Sequence, residues 1–212
     1  MRPLNSRFVY VVDDDRDVRL MLSYMLGEAD LQSRPFASGT DFLASVPDLK
    51  PGCVLLDVRM PDMDGLAVMA ELSRRSIDWP VVFMTGHGEV AVAVEAMKLG
   101  AIDFLQKPFS EEGLLACFER GFALLEQRSA AAGRRAEAIA RIEQLTGRER
   151  EVLQSLLAGL SNKLIADRLG ISLRTVEMHR GNMMVRLGVD NLAEALTLAM
   201  ESGLAPIEAR TG

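Results

Sequence analysis

Short apolar runs of strand type alternate with amphipathic helical patterns through the first 125 residues, and after residue 145 the strand pattern disappears. That change of period constrains the fold more than any other feature of the chain. The runs Phe8–Val12, 31–36, Cys53–Asp57, Val81–Thr85 and Asp103–Gln106 are read as strands. Helical segments lie between and after them, near 15–27, 39–46, 65–75, 89–99 and 111–126. Asp14 or Asp15, Ser38, Asp64 and Ser110 are placed to cap helix starts, and Gly27 and Gly100 stand where helices should stop. Five strands alternating with five helices predict a doubly wound parallel sheet covered on both faces, in an α/β fold of flavodoxin-like order 2-1-3-4-5.

The second half is read as all-α. Residues 125–144 are rich in Ala, Glu and Arg, with Gly133 as the one breaker, and should form a helical connector. Thr146-Gly-Arg-Glu149 fits a capping box opening a helix to residue 158. Ser161 caps a second helix to Leu169, Gly170-Ile171-Ser172 makes a tight turn, Leu173–Leu187 forms a third helix and residues 191–202 a fourth. A helix, a short Gly-containing turn and a longer polar helix make a helix-turn-helix within a four-helix domain. The expected domains are 1–125, a linker at 126–144, and 145–212.

Charge divides along the same line. The whole chain carries −6, but residues 1–125 carry −7, residues 126–145 carry +1 and residues 146–212 are neutral. The acidity therefore belongs to the first half, which leaves the second free to meet a polyanion with a local basic face. With 49% hydrophobic and 25% charged residues the chain can bury a core without a metal or disulfide staple. No apolar run reaches the ~18–20 residues a membrane span needs, and the start turns acidic too soon for a secretory signal. Cys53 and Cys117 read as reduced, buried thiols, and the expected location is the cytoplasm.

In a sheet of this kind the functional site lies beyond the carboxyl ends of the strands, where the winding direction switches. The first strand ends in Asp13-Asp14-Asp15 and the third in Asp57, so Asp13, Asp14 and Asp57 should converge. Packed carboxylates repel and call for a cation, and oxygen-only ligands suit Mg²⁺ (or Mn²⁺). Thr85 ends the fourth strand with a hydroxyl, and Lys107 follows the fifth with a compact positive charge. These are the parts of a phosphoryl-transfer site with Asp57 as nucleophile and Thr85 and Lys107 on the equatorial oxygens. Asp15, Asp62 and Asp64 are better explained as caps or turn residues.

The stretches VVDDD, LLDVRMPDMDG, VVFMTGHG and AMKLGAIDFLQKPF, in that order and spacing, resemble the receiver domain of two-component response regulators. The resemblance implies that Asp57 is the phosphoacceptor, that Asp13 and Asp14 form the acidic metal site, and that the carbonyl of Arg59 completes the metal shell. It also implies a cis Lys107-Pro108 bond, an aromatic switch at Phe104 and a loop at Met60-Pro61. The phosphoryl group would come from the phosphohistidine of a sensor histidine kinase, with the receiver catalysing its own phosphorylation and slow hydrolysis. His87 and His179 have no triad partners in the sequence and are read as a surface-loop and a DNA-facing histidine.

The third C-terminal helix carries Arg174, Arg180, Arg186 and Glu177, a net +2, with Ser172, Thr175 and Asn182 as short polar groups. That equips it for phosphate anchoring and a few base contacts in a major groove. LTGREREVLQSLLAGLSNKLIADRLGISLRTVEMHRGNMMVRLGV is similar to the LuxR-type DNA-binding domain, and with the receiver it makes the NarL/FixJ class, on the FixJ side. The resemblance carries DNA-contact positions to Thr175, Glu177, Met178, His179, Arg180 and Asn182, and places Lys163 on a phosphate. Val152, Leu153, Leu156, Leu164, Ile165, Leu169, Val176, Met183 and Leu187 are assigned to the core.

Phosphate on Asp57 is then expected to draw Thr85 inward, with Phe104 following, and to turn the face of Val90, Val94, Met97 and Phe104–Gln106 into a homodimer surface. The dimer would bind paired half-sites in a double-stranded promoter and regulate transcription, activation being the more usual outcome for this class, with RNA polymerase as a further partner. An enzyme acting on a small molecule through Asp57 would need a substrate cap, and no insertion supplies one. A helical tail that binds protein is disfavoured by the basic face over residues 175–186.

Overall fold

The computed structural model describes residues 7–86 and 90–207. The chain divides into two compact units, one ending at Arg128 and the other beginning at Ser129.

In the first unit, β1 (Phe8–Val12), β2 (Gln32–Phe36), β3 (Cys53–Asp57), β4 (Val81–Thr85) and β5 (Asp103–Gln106) form one parallel sheet in the order β2-β1-β3-β4-β5. The order is the one expected, because β1 and β3 are adjacent where the winding reverses. Pro35 lies within β2 opposite Val11, a place open to a residue with no N–H because β2 is an edge strand.

The helices are α1 (Arg16–Glu28), α2 (Gly39–Ser45), α3 (Gly65–Arg74), α4 (Val90–Lys98) and α5 (Glu111–Glu143). Local chemistry starts several of them. Asp15 accepts the amides of Asp17 and Val18, Ser38 that of Asp41, Asp64 that of Ala67, and Ser110 that of Gly113. The strands alternate their side chains between two apolar layers. Tyr10, Val12, Val54, Leu56 and Phe83 pack with Phe42, Val68 and Leu72 on one face. Val9, Val11, Leu55, Val82 and Met84 pack with Leu22, Leu26, Leu114 and Phe118 on the other. Cys53 and Cys117 are free thiols inside the second layer. Burial pushes them up to about 12 and about 11, and at Cys117 the Asp103 carboxylate adds to the effect, so neither carries useful thiolate.

The helix α5 runs unbroken through Gly133, whose missing side chain faces open space. Its later residues Ala138 and Ile142 are buried, and Ile142 joins the core of the second unit. That unit continues with α6 (Gly147–Leu157), α7 (Asn162–Leu169), α8 (Leu173–Leu187) and α9 (Leu192–Ser202). Gly170 and Gly188 end α7 and α8 at φ 65° and 64°, a left-handed conformation that costs glycine no Cβ clash. One core cluster gathers Ile142, Leu153, Met183, Leu187, Ala195 and Ala199, and a second gathers Val152, Ile165, Ala166 and Val176. Among the described residues no helix is long and apolar enough to cross a membrane.

Candidate functional site

At the carboxyl end of the sheet the side chains of Asp13, Asp57 and Lys107 meet. Lys107 Nζ donates to Asp57 Oδ1 at 2.6 Å and to Asp13 Oδ2 at 2.8 Å. The remaining oxygens are also held: Asp57 Oδ2 accepts the Arg59 amide and Asp13 Oδ1 the Asp15 amide, each at 2.8 Å. Asp57 is only 8% exposed and Asp13 only 1%. Burial pushes the Asp57 carboxyl above the usual carboxylate range; Lys107 opposes that and the charge of Asp13 adds to it. The Lys107 ammonium is held above its ordinary value, because two carboxylates outweigh its own desolvation.

Asp14, expected to converge with Asp13 and Asp57, is exposed. Among the described residues no three Asp, Glu, His or Cys side chains gather so as to hold a metal ion. The donor chemistry still fits a hard divalent cation. Two carboxylates face one ammonium, so a negative charge is left over, and every available ligand is oxygen.

Thr85 is buried at the end of β4, with Oγ1 donating to the Gly86 carbonyl at 3.3 Å. The Lys107 amide donates to the Thr85 carbonyl at 2.8 Å, which ties the two residues together, and the Lys107-Pro108 bond is cis. Phe104 is 44% exposed on β5, and Val94 and Met97 are exposed on α4. Val90 opens α4, but its side chain and all of His87 lie outside the described residues.

Sequence reasoning passed over Gly65. A Cβ there would run into the Asp57 carbonyl and stand 2.8 Å from Phe83 Cε1. Glycine at the start of α3 lets that helix close against the end of β3. A DG pair directly after the loop that follows Asp57 is the signal that could have found it.

In the second unit Ser172 caps α8, its hydroxyl accepting the Thr175 amide and standing 2.8 Å from the Thr175 hydroxyl. Arg174, Glu177, Met178 and Asn182 are exposed on α8, as is Lys163 on α7, while Thr175, His179 and Arg180 are half-buried. Arg186 pairs with the buried Glu149 at 3.0 Å. Glu149 also completes the capping box with Thr146, so it bonds in two directions. Burial raises the cost of its charge, but Thr146 and Arg186 together hold it below the usual range. Leu164, assigned to the core on its apolar character, is instead 52% exposed; in the short α7 it is Ile165 and Ala166 that turn inward.

A five-stranded sheet with an acid-lysine pocket at its carboxyl end, followed by a helix-turn-helix unit, defines a receiver coupled to a DNA-binding module. Residues 9–119 match the response regulator receiver domain, and residues 143–199 match the bacterial regulatory proteins of the luxR family. The chain belongs to the two-component response regulators of this receiver-plus-luxR class, which are DNA-binding transcription regulators. It is similar to the transcriptional regulatory protein FixJ of Bradyrhizobium diazoefficiens, with 41% identity over 92% of this chain and 96% of that one. Among solved structures it resembles the response regulator StyR, with TM-score 0.78 and 40% identity over 92% of this chain and 98% of that one. Full-length FixJ from B. japonicum gives TM-score 0.59 and 40% identity over 94% and 98% of the two chains.

Proposed function

We propose that Asp57 is the residue phosphorylated, by a sensor histidine kinase, and that the phosphoryl group switches the protein into a homodimer that binds a promoter. The observation that carries this reading is the convergence of Asp57, Asp13 and Lys107 at the carboxyl end of the sheet. A carboxylate oxygen of Asp57 attacks phosphorus; the P–O bond forms as the P–N bond of the donor phosphohistidine breaks, and the imidazole leaves with the electron pair. Lys107 must exchange one carboxylate for a phosphoryl oxygen, which its flexible stem allows. Thr85 sits one strand away with its carbonyl already tied to Lys107, so a hydroxyl drawn to the phosphoryl group would move β4 and β5 together.

Asp13, Asp14, Asp57 and the carbonyl of Arg59 are the groups that would hold Mg²⁺ (or Mn²⁺), and a bound cation there would supply charge neutralisation for the transferring group. Slow hydrolysis of the acyl phosphate at the same pocket resets the switch.

The apolar groups exposed on α4 and β5, Val94, Met97 and Phe104, are the surface proposed for the second copy. On DNA, Lys163 and Arg174 are assigned to phosphates, and Glu177, Met178 and Asn182 to base edges, with Thr175 and His179 on the flank of α8. RNA polymerase would be met by the DNA-bound dimer, and the setting is the cytoplasm. The test compares wild type with Asp57→Asn, each with and without acetyl phosphate, by sedimentation and by binding to promoter DNA. Phosphodonor should dimerise and tighten only the wild type. Equal DNA binding in all four samples would rule the switch out.

A further inference from the structure

The face of α8 that meets the core is set by Val176, Met183 and Leu187, all fully or almost fully buried. These positions repeat at i, i+7 and i+11, and residue i+4 on the same stripe is Arg180. The opposite face carries Arg174, Met178, Gly181 and Val185, all exposed. Arg180 therefore leaves α8 on the side facing its own domain, away from the face free to enter a groove. Its guanidinium finds a specific partner there: Nη1 donates to Asn162 Oδ1 at 2.6 Å. Asn162 is the first residue of α7, between the cap Ser161 and the exposed Lys163.

We infer that Arg180 and Asn162 form a strut that fixes the first turn of α7 against the middle of α8, and that Arg180 is a positioning residue, not a reader of bases. The inference rests on the DNA-binding reading above and deepens it. A protein reading a duplex must present its phosphate-binding and base-reading groups in one frame, because sub-ångström errors in placement weaken recognition. Lys163 and the exposed face of α8 are the two parts that need a common frame here. Apolar packing between α7 and α8 holds them together through Ile165, Ala166 and Val176, but packing is non-directional. A charge-assisted hydrogen bond to the residue beside Lys163 sets distance and direction. It also removes Arg180 from the side chains that discriminate base pairs, leaving that work to Glu177, Met178 and Asn182.

The test uses the full chain with acetyl phosphate and Mg²⁺, on a duplex that the wild type selects from a random-sequence library. Wild type, Arg180→Ala, Asn162→Ala and the double variant are compared for affinity, for the slope of affinity against salt, and for base preference at each position. All measurements are made well below each unfolding midpoint, where a merely stabilising contact leaves affinity unmoved. Each single variant should bind about tenfold more weakly. The double variant should be no weaker than either, and base preference and salt slope should match wild type. Arg174→Ala is the control for a phosphate contact and should lower the slope by about 0.9.

A change of preference at one base pair in Arg180→Ala, a fall in its salt slope, or losses that multiply in the double variant would each overturn the strut. Asn162→Ala removes a single half-buried partner and keeps the question open to measurement if Arg180→Ala fails to fold: unchanged affinity in that variant also overturns it. Failure of the wild type to enrich any sequence is a separate result, which removes the DNA-binding reading itself and the strut's function with it.

Discussion

Lys107 Nζ lies 2.6 Å from Asp57 Oδ1, although 50 residues separate the two in the chain. The pair joins the ends of two strands that are not neighbours in the sheet, since β4 runs between β3 and β5. The same ammonium also reaches Asp13, the residue after β1, so one lysine spans the width of the pocket.

Removing that lysine leaves two buried carboxylates facing one another without a cation. Lys107→Ala is expected to lower stability by about 3 kcal/mol, the cost of an uncompensated buried charge. Urea unfolding in Mg²⁺-free buffer and in the presence of Mg²⁺ reads the effect, and added Mg²⁺ should restore part of it. A variant as stable as wild type in Mg²⁺-free buffer would contradict the charge argument.

Gly65→Ala drives a methyl group into the Asp57 carbonyl and towards Phe83. Because the obstacle is backbone and a buried ring, the start of α3 must shift, at a cost of about 2 kcal/mol. Phosphorylation by acetyl phosphate, followed by intact-protein mass spectrometry, should slow in parallel with the loss of stability. Unaltered phosphorylation and an unaltered unfolding midpoint would show that the loop absorbs the methyl group freely.

Glu149 couples the capping box of α6 to Arg186 on α8. Replacing it with Gln keeps its shape and removes its charge, and is expected to cost about 1–2 kcal/mol near neutral pH. Since its folded carboxyl titrates below the usual range, the stabilisation is present above about pH 4, the ordinary glutamate value, and is lost as pH falls through the lower folded value. Urea midpoints of wild type and Glu149→Gln should therefore converge on acidification. A gap that stayed constant down to low pH would exclude the charge as its source.

Gly181 lies inside α8 and a Cβ there would meet nothing within 4 Å. The fold has no need of glycine at this site, so Gly181→Ala should stabilise the protein by about 0.5–1 kcal/mol. The rise in unfolding midpoint is readily measured by circular dichroism. A fall would mean that α8 bends where the structure shows it straight enough to bury Val176, Met183 and Leu187 together.

Charging the exposed apolar face tests the proposed dimer. Met97→Glu places a carboxylate among Val94 and Phe104, all exposed, so folding should be little affected. Sedimentation with acetyl phosphate should show a monomer where wild type dimerises. Dimers of undiminished strength would move the interface elsewhere.

Much of the fold is legible because its signals are local. Strand alternation and the caps Asp15, Ser38, Asp64 and Thr146 each act within four residues, a range over which the sequence alone settles which amide meets which oxygen. Strand order was legible too, since parallel crossovers limit the ways such a chain can wind. What side chains meet across the fold is another matter. Arg180 and Arg186 look on paper like parts of one basic face, yet one bonds Asn162 and the other Glu149. Leu164 and Ile165 are equally apolar neighbours, and packing alone sends the first outward.

From its residues the chain determined two modules, the acids at its strand ends and the helix-turn-helix. Tertiary structure decided that Lys107 stands between Asp13 and Asp57, that Gly65 must lack a side chain, and that Arg180 bonds Asn162 while Arg186 bonds Glu149. The division has one cause: periodicity and capping depend on neighbours along the chain, whereas pairing and burial depend on atoms that only the finished packing brings within reach.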